Sequence, residues 1–443
     1  MGRGKRFFVE TYGCEMNKSD SLDIAFSMEQ QGYSPTSDAT EADVVIINTC
    51  SVRSHAEQRV FGRLGYYRHL IKSGERELAI VLTGCMAQRL GEEARRRFPE
   101  IAVVAGTSHG LRIPRYLSRY ENMKKPVVVT NLKGYTFSRP QARRAEGHHA
   151  WVTIVKGCSN YCSYCIVPYV RGPELSKPSG DVAAEVEALV DRGVTEITLL
   201  GQNVNAYGKD SGDISFADLL ERLDGIPGLR WIRFLTSHPK DFDSGVIERI
   251  SGLRKVCRHF HLPLQSGSDR MLSIMNRGYT VRHYMSIVEA LQRFIGDFAI
   301  TTDIIVGFPT ETDEDFMKTL SVYQAVGFDD AFTYRYSRRP YIAARRLEGD
   351  VRPSVAQGRL ERLIAVVRRT TDEKNSSLLG EEREVLVVKK SRKNPSEYLA
   401  KTEQGKMVAV STTRGPGSFI RIRIDGIKGK TLRGSEVSRR YIL

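Results

Sequence analysis

No segment of the 443-residue chain approaches the ~18 consecutive apolar residues that a membrane-spanning helix needs. The first residues, Met1–Cys14, are basic but pass directly into an alternating strand pattern, without the apolar core of a secretory signal. There is no low-complexity tract, and a hydrophobic content of 41% with 27% charged residues excludes a disordered or collagen-like chain. We therefore expect a globular, cytoplasmic protein with no membrane attachment and with about two to four domains.

Cysteine is scarce, with seven residues, and this odd number occurs in a chain too long to need disulfide bonds for stability. We expect most of these cysteines to be metal ligands. Cys257 has no cysteine near it in the sequence and is expected to be an ordinary packed thiol.

Positive charge exceeds negative charge, because 67 Lys and Arg residues stand against 52 Asp and Glu residues, which gives +15. The last 66 residues carry 15 Lys or Arg against 7 acidic residues, and so hold more than half of this excess. Such a surplus favours a polyanionic partner such as nucleic acid, although solubility alone could also explain it.

The same C-terminal region alternates like β-structure in three segments, Glu384–Val388, Met407–Val410 and Phe419–Ile424, which Gly and Pro residues separate. The pattern predicts a small basic β-barrel, preceded by a helix over Pro353–Leu379. Its candidate nucleic-acid-binding residues are Lys389, Lys390, Arg392, Lys393, Arg421 and Arg423. For the last two, the solvated face of a strand is an equally good interpretation.

Three predicted strands near the N-terminus each end in a short polar turn that holds one cysteine, and the turns are followed by helical patterns. The strands are Arg6–Thr11, Asp43–Asn48 and Glu77–Leu82, and the cysteines are Cys14, Cys50 and Cys85. In an open parallel sheet such positions converge at the carboxyl edge, so that three thiolates could share one metal cluster. The alternative is three small buried cysteines without a ligand.

The strongest motif is C-x-x-x-C-x-x-C, formed by Cys158, Cys162 and Cys165 directly after a predicted strand, Trp151–Val155. Three thiolates on one short loop can ligate three irons of a four-iron, four-sulfur (4Fe–4S) cluster and leave the fourth iron open for chemistry. A zinc site is the alternative, with His148 or His149 as the missing ligand.

The middle of the chain shows six strand patterns that alternate with helical ones, as in barrels of parallel strands, where active residues collect after the carboxyl ends. The patterns are Trp151–Val155, Glu196–Leu200, Trp231–Leu235, Phe260–Leu264, Ala299–Val306 and Ala331–Tyr336. Polar clusters follow four of them, at Gly201–Asn205, Thr236–His238, Gln265–Ser268 and Gly307–Glu311. We interpret His238 and His261 as structural.

The cysteine loop, with the aromatic Tyr164 just before its last cysteine, resembles that of the radical S-adenosylmethionine enzymes. Three cysteines precede this loop, and a basic barrel like the RNA-binding TRAM domain follows it. This order along the chain is similar to that of the methylthiotransferase family of the same superfamily. Within the family, three motifs resemble those of the enzymes that act on N6-dimethylallyladenosine in tRNA, namely Glu10–Asn17, Asn48–Arg53 with Ala56–Leu64, and Gly84–Arg89.

The resemblance implies an α/β protein of three domains. These are an N-terminal methylthiotransferase domain with an open parallel sheet (1–132), a radical S-adenosylmethionine domain with a partial, TIM-like (β/α)6 barrel (150–376), and an OB-like TRAM barrel (377–443). Residues 133–149, rich in Gly, Pro and Arg, are expected to be a linker. The chain departs from the family pattern at Pro173, Leu175 and Lys177, where arginines are usual, and at Ala400–Thr402, where Gly-Arg-Thr is common.

Two 4Fe–4S clusters, one on each set of three cysteines, and S-adenosylmethionine are the cofactors that the resemblance implies. The residues expected to bind S-adenosylmethionine are Tyr164, Gly201, Gln202, Asn203, Ser237, Gln265 and Gly307, with Tyr164 near the adenine. Gly307 could equally be a turn glycine.

The implied activity is methylthiolation of C2 of N6-dimethylallyladenosine next to the anticodon of tRNA (position 37). One S-adenosylmethionine would be split to a radical, a second would methylate sulfur, and the N-terminal cluster would supply that sulfur. The expected partners are a tRNA anticodon loop, an electron donor such as flavodoxin or ferredoxin, and proteins that supply sulfur or clusters, and the chain is expected to be a monomer. The alternatives are a relative that modifies threonylcarbamoyladenosine of tRNA or a ribosomal-protein aspartate, and a non-enzymatic iron–sulfur or zinc module that binds RNA.

Overall fold

The computed structural model of the protein describes residues 4–51, 54–74, 77–137 and 147–437. Most of the predicted linker, from 138 to 146, therefore lies outside the described residues, as do Val52 and Arg53 of the second motif. Within these ranges, no helix combines the length and the apolar character that crossing a membrane requires.

The first domain is one open sheet of six parallel strands in the order β2-β1-β3-β4-β5-β6, which confirms the predicted architecture. The central strands are runs of Val and Ile that are buried on both faces, as parallel sheets covered by helices require. The strands are β1 (Arg6–Tyr12), β2 (Ser34–Pro35), β3 (Val44–Thr49), β4 (Ala79–Gly84), β5 (Ile101–Ala105) and β6 (Val127–Val129). The helices are α1 (Glu15–Gln30), α2 (Ser54–Lys72), α3 (Cys85–Leu90), α4 (Glu92–Arg97) and α5 (Ile113–Met123).

The register of this sheet aligns the ends of β1, β3 and β4, because Tyr12 pairs with Thr49 and Thr49 with Gly84. Each strand runs one or two residues further than its predicted end. The three cysteine-bearing turns therefore begin at one level of one sheet edge.

The central domain holds six parallel strands in two halves, β7-β10-β11 and β12-β13-β14, which a bridge between Ile232 and Val256 connects. The strands are β7 (His149–Thr153), β10 (Glu196–Leu200), β11 (Trp231–Phe234), β12 (His259–His261), β13 (Ala299–Val306) and β14 (Asp330–Arg335), with a small hairpin of β8 (Val155–Lys156) and β9 (Leu175–Ser176). The helices are α6 (Val167–Arg171), α7 (Ser179–Val190), α8 (Phe216–Asp224), α9 (Ser244–Ser251), α10 (Asp269–Ile274), α11 (Val281–Phe294), α12 (Asp313–Val326) and α13 (Pro353–Ser376). All six predicted strands are present, which confirms the expected partial barrel.

The last domain is a closed five-stranded barrel in the order β15-β16-β17-β19-β18. Its strands are β15 (Glu382–Lys390), β16 (Tyr398–Thr402), β17 (Met407–Ser411), β18 (Phe419–Lys428) and β19 (Thr431–Glu436). The alternation predicted only β15, β17 and β18. β16 has its apolar residues in one run, Tyr398–Ala400, rather than in alternation, and β19 contains only Leu432. Both are strands because they pair with both neighbours and close the barrel.

A buried ion-pair cluster joins this barrel to the central domain. Glu196 at the start of β10 accepts hydrogen bonds from Arg233, at 2.5 Å, and from Lys401, at 3.0 Å. Arg233 also donates to the carbonyl of Thr402 at 2.8 Å. Burial by itself raises the pKa of Glu196, but the two cations hold it below its ordinary value. Lys401, one of the departures from the family pattern, is thus part of a domain interface.

Candidate active site at the junction of the three domains

A cleft with a volume of about 830 Å³ lies where the three domains meet. The first domain contributes Cys14, and the central domain contributes the cysteine loop and the residues that follow its strands. The last domain contributes the turn between β16 and β17, Gln404–Met407, and the start of β19. The size is within the ~300–1,000 Å³ of pockets that enclose small organic ligands.

The cysteine loop, Cys158–Cys165, is held rigidly at one end of this cleft. Gly157, just before it, has φ +77°, and a Cβ there would lie 1.9 Å from the carbonyl oxygen of Pro173, so that only glycine fits. The loop is also hydrogen-bonded to the segment that follows α10, since Ser163 N donates to Met275 O at 3.0 Å and Asn276 Nδ2 donates to Tyr161 O at 3.0 Å. As a result all three of its cysteines line the cleft.

The environment of these thiols suits metal ligation. Burial raises the pKa of Cys158 to about 11 and that of Cys165 to about 12, so that a bound cation is needed to favour the thiolates. No three Cys, His, Asp or Glu side chains of the described ranges converge on a single ion. A cluster in which each thiolate ligates a different iron does not require such convergence.

His148 and His149 do not support the zinc alternative, because they lie at the start of β7 whereas the cysteine loop follows the other end of that strand. His149 Nε2 hydrogen-bonds Thr198 Oγ1 at 2.9 Å, and His148 lies against Gly417 of the last barrel.

Buried polar atoms without a partner among the described residues mark a ligand site in the cleft. They are Gln202 Oε1, Ser237 Oγ, His238 Nε2 and Gln265 Oε1, and all four side chains line it. Leaving such atoms unpaired costs about 1–3 kcal/mol each, which a polar ligand would recover. Gln265 and the neighbouring Thr236 have φ values of 66° and 70°, a strained conformation for non-glycine residues that is frequent at functional sites.

The structure brings most of the predicted S-adenosylmethionine contacts together. Tyr164, Gly201, Gln202, Ser237 and Gln265 all line the cleft.

Asn203 and Gly307 are not among the residues that line the cleft. Asn203 Nδ2 donates to Asp241 Oδ2 at 2.7 Å. Gly307 has φ +71° and packs against α13, where a Cβ would meet Ala356 Cβ at 2.6 Å. The interpretation of Gly307 as a turn glycine therefore fits its position.

Sequence reasoning missed several residues of the cleft. His238 and His261, interpreted as structural, both line it, and so do Asp303 and Arg277. Burial, followed by the charge of Arg277, lowers the pKa of His238 to about 2, so that its imidazole is neutral. The polar run Thr236–His238 was a usable signal for His238, whereas no local pattern distinguishes Arg277.

The N-terminal cysteines form the second candidate cluster site. Cys14 is exposed and precedes α1, where its N–H donates to Asn17 Oδ1 at 3.3 Å. Cys50 directly follows β3, Cys85 begins α3, and both are buried. The aligned strand ends thus place three thiols at one edge of the sheet, as predicted.

This second site abuts the first. Cys85 packs in one apolar cluster with Ile166, which directly follows the cysteine loop, and with Val170 of α6. Burial raises the pKa of Cys85, and the buried guanidinium of Arg171 partly offsets this effect. Arg171 also donates to Asp20 Oδ2 at 2.8 Å, which joins the central domain to α1. A cation from the central domain therefore faces the N-terminal thiols.

The candidate RNA-binding residues fall into two groups. Lys389, Lys390, Arg392 and Lys393 are exposed around the β15–β16 turn, and none of the four has an ion-pair partner in the described part of the chain. Arg421 and Arg423, in contrast, share the carboxylate of Glu382, at 3.1 and 3.7 Å. The β15–β16 turn lies at the end of the barrel opposite to the Gln404–Met407 turn, so its cations face away from the cleft.

Comparisons with known proteins match the three domains in turn. An uncharacterised protein family, UPF0004, matches residues 6–106, the Radical SAM superfamily matches 152–322, and the TRAM domain matches 376–437. Among solved structures, a radical S-adenosylmethionine methyltransferase from Kitasatospora setae with bound cobalamin and a 4Fe–4S cluster shares the fold, with a TM-score of 0.56 at 15% identity over 77% of this chain and 74% of that one.

Two curated relatives, both named tRNA-2-methylthio-N(6)-dimethylallyladenosine synthase, are similar along almost their entire length. The protein from Moorella thermoacetica is 42% identical over 98% of both chains. The protein from Syntrophus aciditrophicus is 44% identical over 92% of this chain and 89% of its own. With this identity over all three domains, the chain belongs to the methylthiotransferase family of radical S-adenosylmethionine enzymes, which use a 4Fe–4S cluster and S-adenosylmethionine.

Proposed function

We propose that this protein methylthiolates C2 of N6-dimethylallyladenosine next to the anticodon of tRNA. The observation that carries the proposal is the extent of similarity to the tRNA-2-methylthio-N(6)-dimethylallyladenosine synthases, which includes the cysteine-bearing first domain and the basic barrel as well as the radical domain. Both cysteine sets and the cleft between the domains fit this chemistry.

Cys158, Cys162 and Cys165 would hold the cluster that acts on S-adenosylmethionine. With that cofactor bound, the cluster supplies a radical able to remove hydrogen from an unactivated C–H bond. The unpaired polar atoms of Gln202, Ser237 and Gln265 would hold the polar groups of S-adenosylmethionine. Their burial in the cleft would exclude water from the reacting atoms.

Cys14, Cys50 and Cys85 would hold a second 4Fe–4S cluster as the source of sulfur. The position of Cys14 on the wall of the same cleft supports this role, since sulfur must reach the target base there. Arg171 would stabilise the negative charge of this cluster.

The target adenine must leave its stack to enter the cleft, which costs less in a single-stranded loop than in a duplex. The cations of the β15–β16 turn would then bind phosphates further along the tRNA. The net charge of this last domain also favours an RNA substrate over the alternative of a ribosomal-protein aspartate.

The remaining parts of the proposal follow from this activity. We place the domain boundaries at 1–132, 150–376 and 377–443. The ends of β6 at Val129 and of α13 at Ser376 support this placement, whereas β7 already begins at His149, one residue before the proposed second domain. The protein would act as a monomer in the cytoplasm, with a flavodoxin or ferredoxin as the electron donor and with proteins that supply sulfur or clusters.

Mass spectrometry of tRNA nucleosides from cells that lack this chain tests the substrate. We expect the 2-methylthio nucleoside to disappear and N6-dimethylallyladenosine to accumulate, with recovery when the chain is restored. Loss of the methylthio derivative of threonylcarbamoyladenosine instead would assign the chain to the related activity and refute the proposed substrate.

Anaerobically reconstituted variants test the two cysteine sets. The wild type should hold about eight irons per chain, and Cys14→Ala, Cys50→Ala and Cys85→Ala combined should hold about four. This triple variant should still cleave S-adenosylmethionine but insert no sulfur, whereas Cys158→Ala, Cys162→Ala or Cys165→Ala should each abolish cleavage. Methylthio product from the triple variant, or full cleavage by any of the other three, would contradict these assignments.

A further inference from the structure

Arg277, in the loop between α10 and α11, is a buried cation that no carboxylate neutralises among the described residues. Its Nη1 donates to Cys162 Sγ at 3.4 Å, its Nη2 to the carbonyl of Pro263 at 2.8 Å and its Nε to the hydroxyl of Tyr279 at 3.4 Å. The relative exposure of the residue is 4%.

A buried guanidinium is costly unless an anion lies beside it. The titratable groups that interact with Arg277 include Cys162, Tyr164, Tyr279 and His238, and the imidazole of His238 cannot supply a negative charge. The hydroxyls of Tyr164 and Tyr279 are neutral groups at physiological pH. The thiol of Cys162 is therefore the group that can supply the negative charge, which it does when it ligates iron as a thiolate.

We infer that Arg277 is a positioning residue that raises the reduction potential of the cluster on Cys158, Cys162 and Cys165, through its charged N–H···S hydrogen bond to Cys162. Reduction adds one negative charge to the cluster, and a fixed cation next to a ligand sulfur stabilises the reduced form more than the oxidised form. The inference rests on the proposed ligation by these three cysteines, but not on the tRNA substrate.

The alternative role for Arg277 is a contact with the carboxylate of S-adenosylmethionine, because the residue also lines the cleft and keeps two N–H groups outside the three hydrogen bonds above. The two roles differ in what each one changes. A contact with the cofactor affects cofactor affinity and leaves the potential of the cofactor-free cluster unchanged.

The test is a redox titration followed by electron paramagnetic resonance, without S-adenosylmethionine or tRNA. Using the Cys14, Cys50 and Cys85 triple alanine variant as background leaves one cluster to titrate. Arg277→Met should make reduction about tenfold less favourable, a shift of ~59 mV to lower potential for a one-electron couple. Arg277→Lys, which keeps the charge, should recover part of that shift.

Tyr279→Phe is the matched control, because it removes a hydrogen-bond partner of Arg277 and of the Leu264 carbonyl but keeps the cation. It should leave the potential unchanged even if the melting temperature falls. An unchanged potential in Arg277→Met at full iron content, or an equal shift in Tyr279→Phe, would overturn the inference. Weaker S-adenosylmethionine binding without a change of potential would assign Arg277 to the cofactor instead.

A measurement on the unsubstituted residue covers the case in which Arg277→Met fails to assemble its cluster. Pulsed electron paramagnetic resonance of the reduced cluster, in protein labelled with 15N-arginine, should detect a weak nitrogen coupling from the N–H···S hydrogen bond. Arg277→Lys should lack this signal. Absence of the coupling in the protein with Arg277 would refute the contact itself.

Discussion

Replacing Lys389, Lys390, Arg392 and Lys393 with Gln should weaken tRNA binding and reduce its dependence on salt. The four side chains surround one turn, are exposed, and have no ion-pair partners in the described part of the chain, so each is available to a phosphate. The last barrel contains no cysteine, and this turn lies at its end away from the cleft. Cluster content and cleavage of S-adenosylmethionine should therefore not change.

The size of the effect follows from counterion release. Each phosphate contact contributes about 0.7–0.9 to the slope of log affinity against log salt, so that loss of four contacts reduces the slope by about 3. If the wild type and the quadruple variant bind equally at 1 M salt, this difference in slope makes the variant bind roughly 300-fold more weakly at ~0.15 M salt.

The assay is fluorescence anisotropy of a labelled tRNA, titrated at several salt concentrations. The double variant Arg421→Gln with Arg423→Gln is the matched comparison, because both of these arginines of the same barrel are already ion-paired with Glu382. It should reduce the slope by about 1 or less. An unchanged slope in the quadruple variant would refute the reasoning and show that these residues only form a solvent-exposed surface of the barrel. The contacts would then have to be sought at Arg139, Arg143 and Arg144, which lie outside the described residues.

Three further substitutions, one of them with a matched control, test the framework around the site. Glu196→Gln should destabilise the protein by about 3–5 kcal/mol in denaturant unfolding, because it leaves the buried Arg233 and the partly buried Lys401 without their carboxylate. The pKa of Glu196 is lowered in the folded state, so its contribution to the free energy of unfolding should be complete above pH 4.5 and be lost as the pH falls further. Glu196→Gln should lack this pH dependence. Gly157→Ala should displace the cysteine loop and reduce iron content. Gly180→Ala, in open space in the first turn of α7, should leave iron content unchanged and raise stability by about 0.4–1 kcal/mol. Leu363→Ala, in the fully buried face of α13, should cost about 2–5 kcal/mol, and a loss below 1 kcal/mol would contradict its packing in the core.

Local patterns accounted for much of the fold. Alternating strand and helix signals predicted the parallel sheet, the partial barrel and three of the five strands of the last domain. They also predicted the location of the cysteines, because the carboxyl ends of parallel strands meet at one edge whatever the details of packing. The patterns missed β16 and β19, which lack alternating apolar residues and form strands through pairing with their neighbours.

The sequence by itself indicated the chemistry of this protein, since the spacing of Cys158, Cys162 and Cys165 on one loop predicts a three-thiolate site. Only the tertiary structure decided what surrounds that site. Arg277 lies 115 positions from Cys162 in the sequence, and Lys401 lies 205 positions from its partner Glu196. The periodicity of apolar residues in the sequence indicates which side chains of a helix or strand are buried. Contacts between distant elements depend instead on how the domains pack, and burial then makes the pairing of each charge energetically decisive.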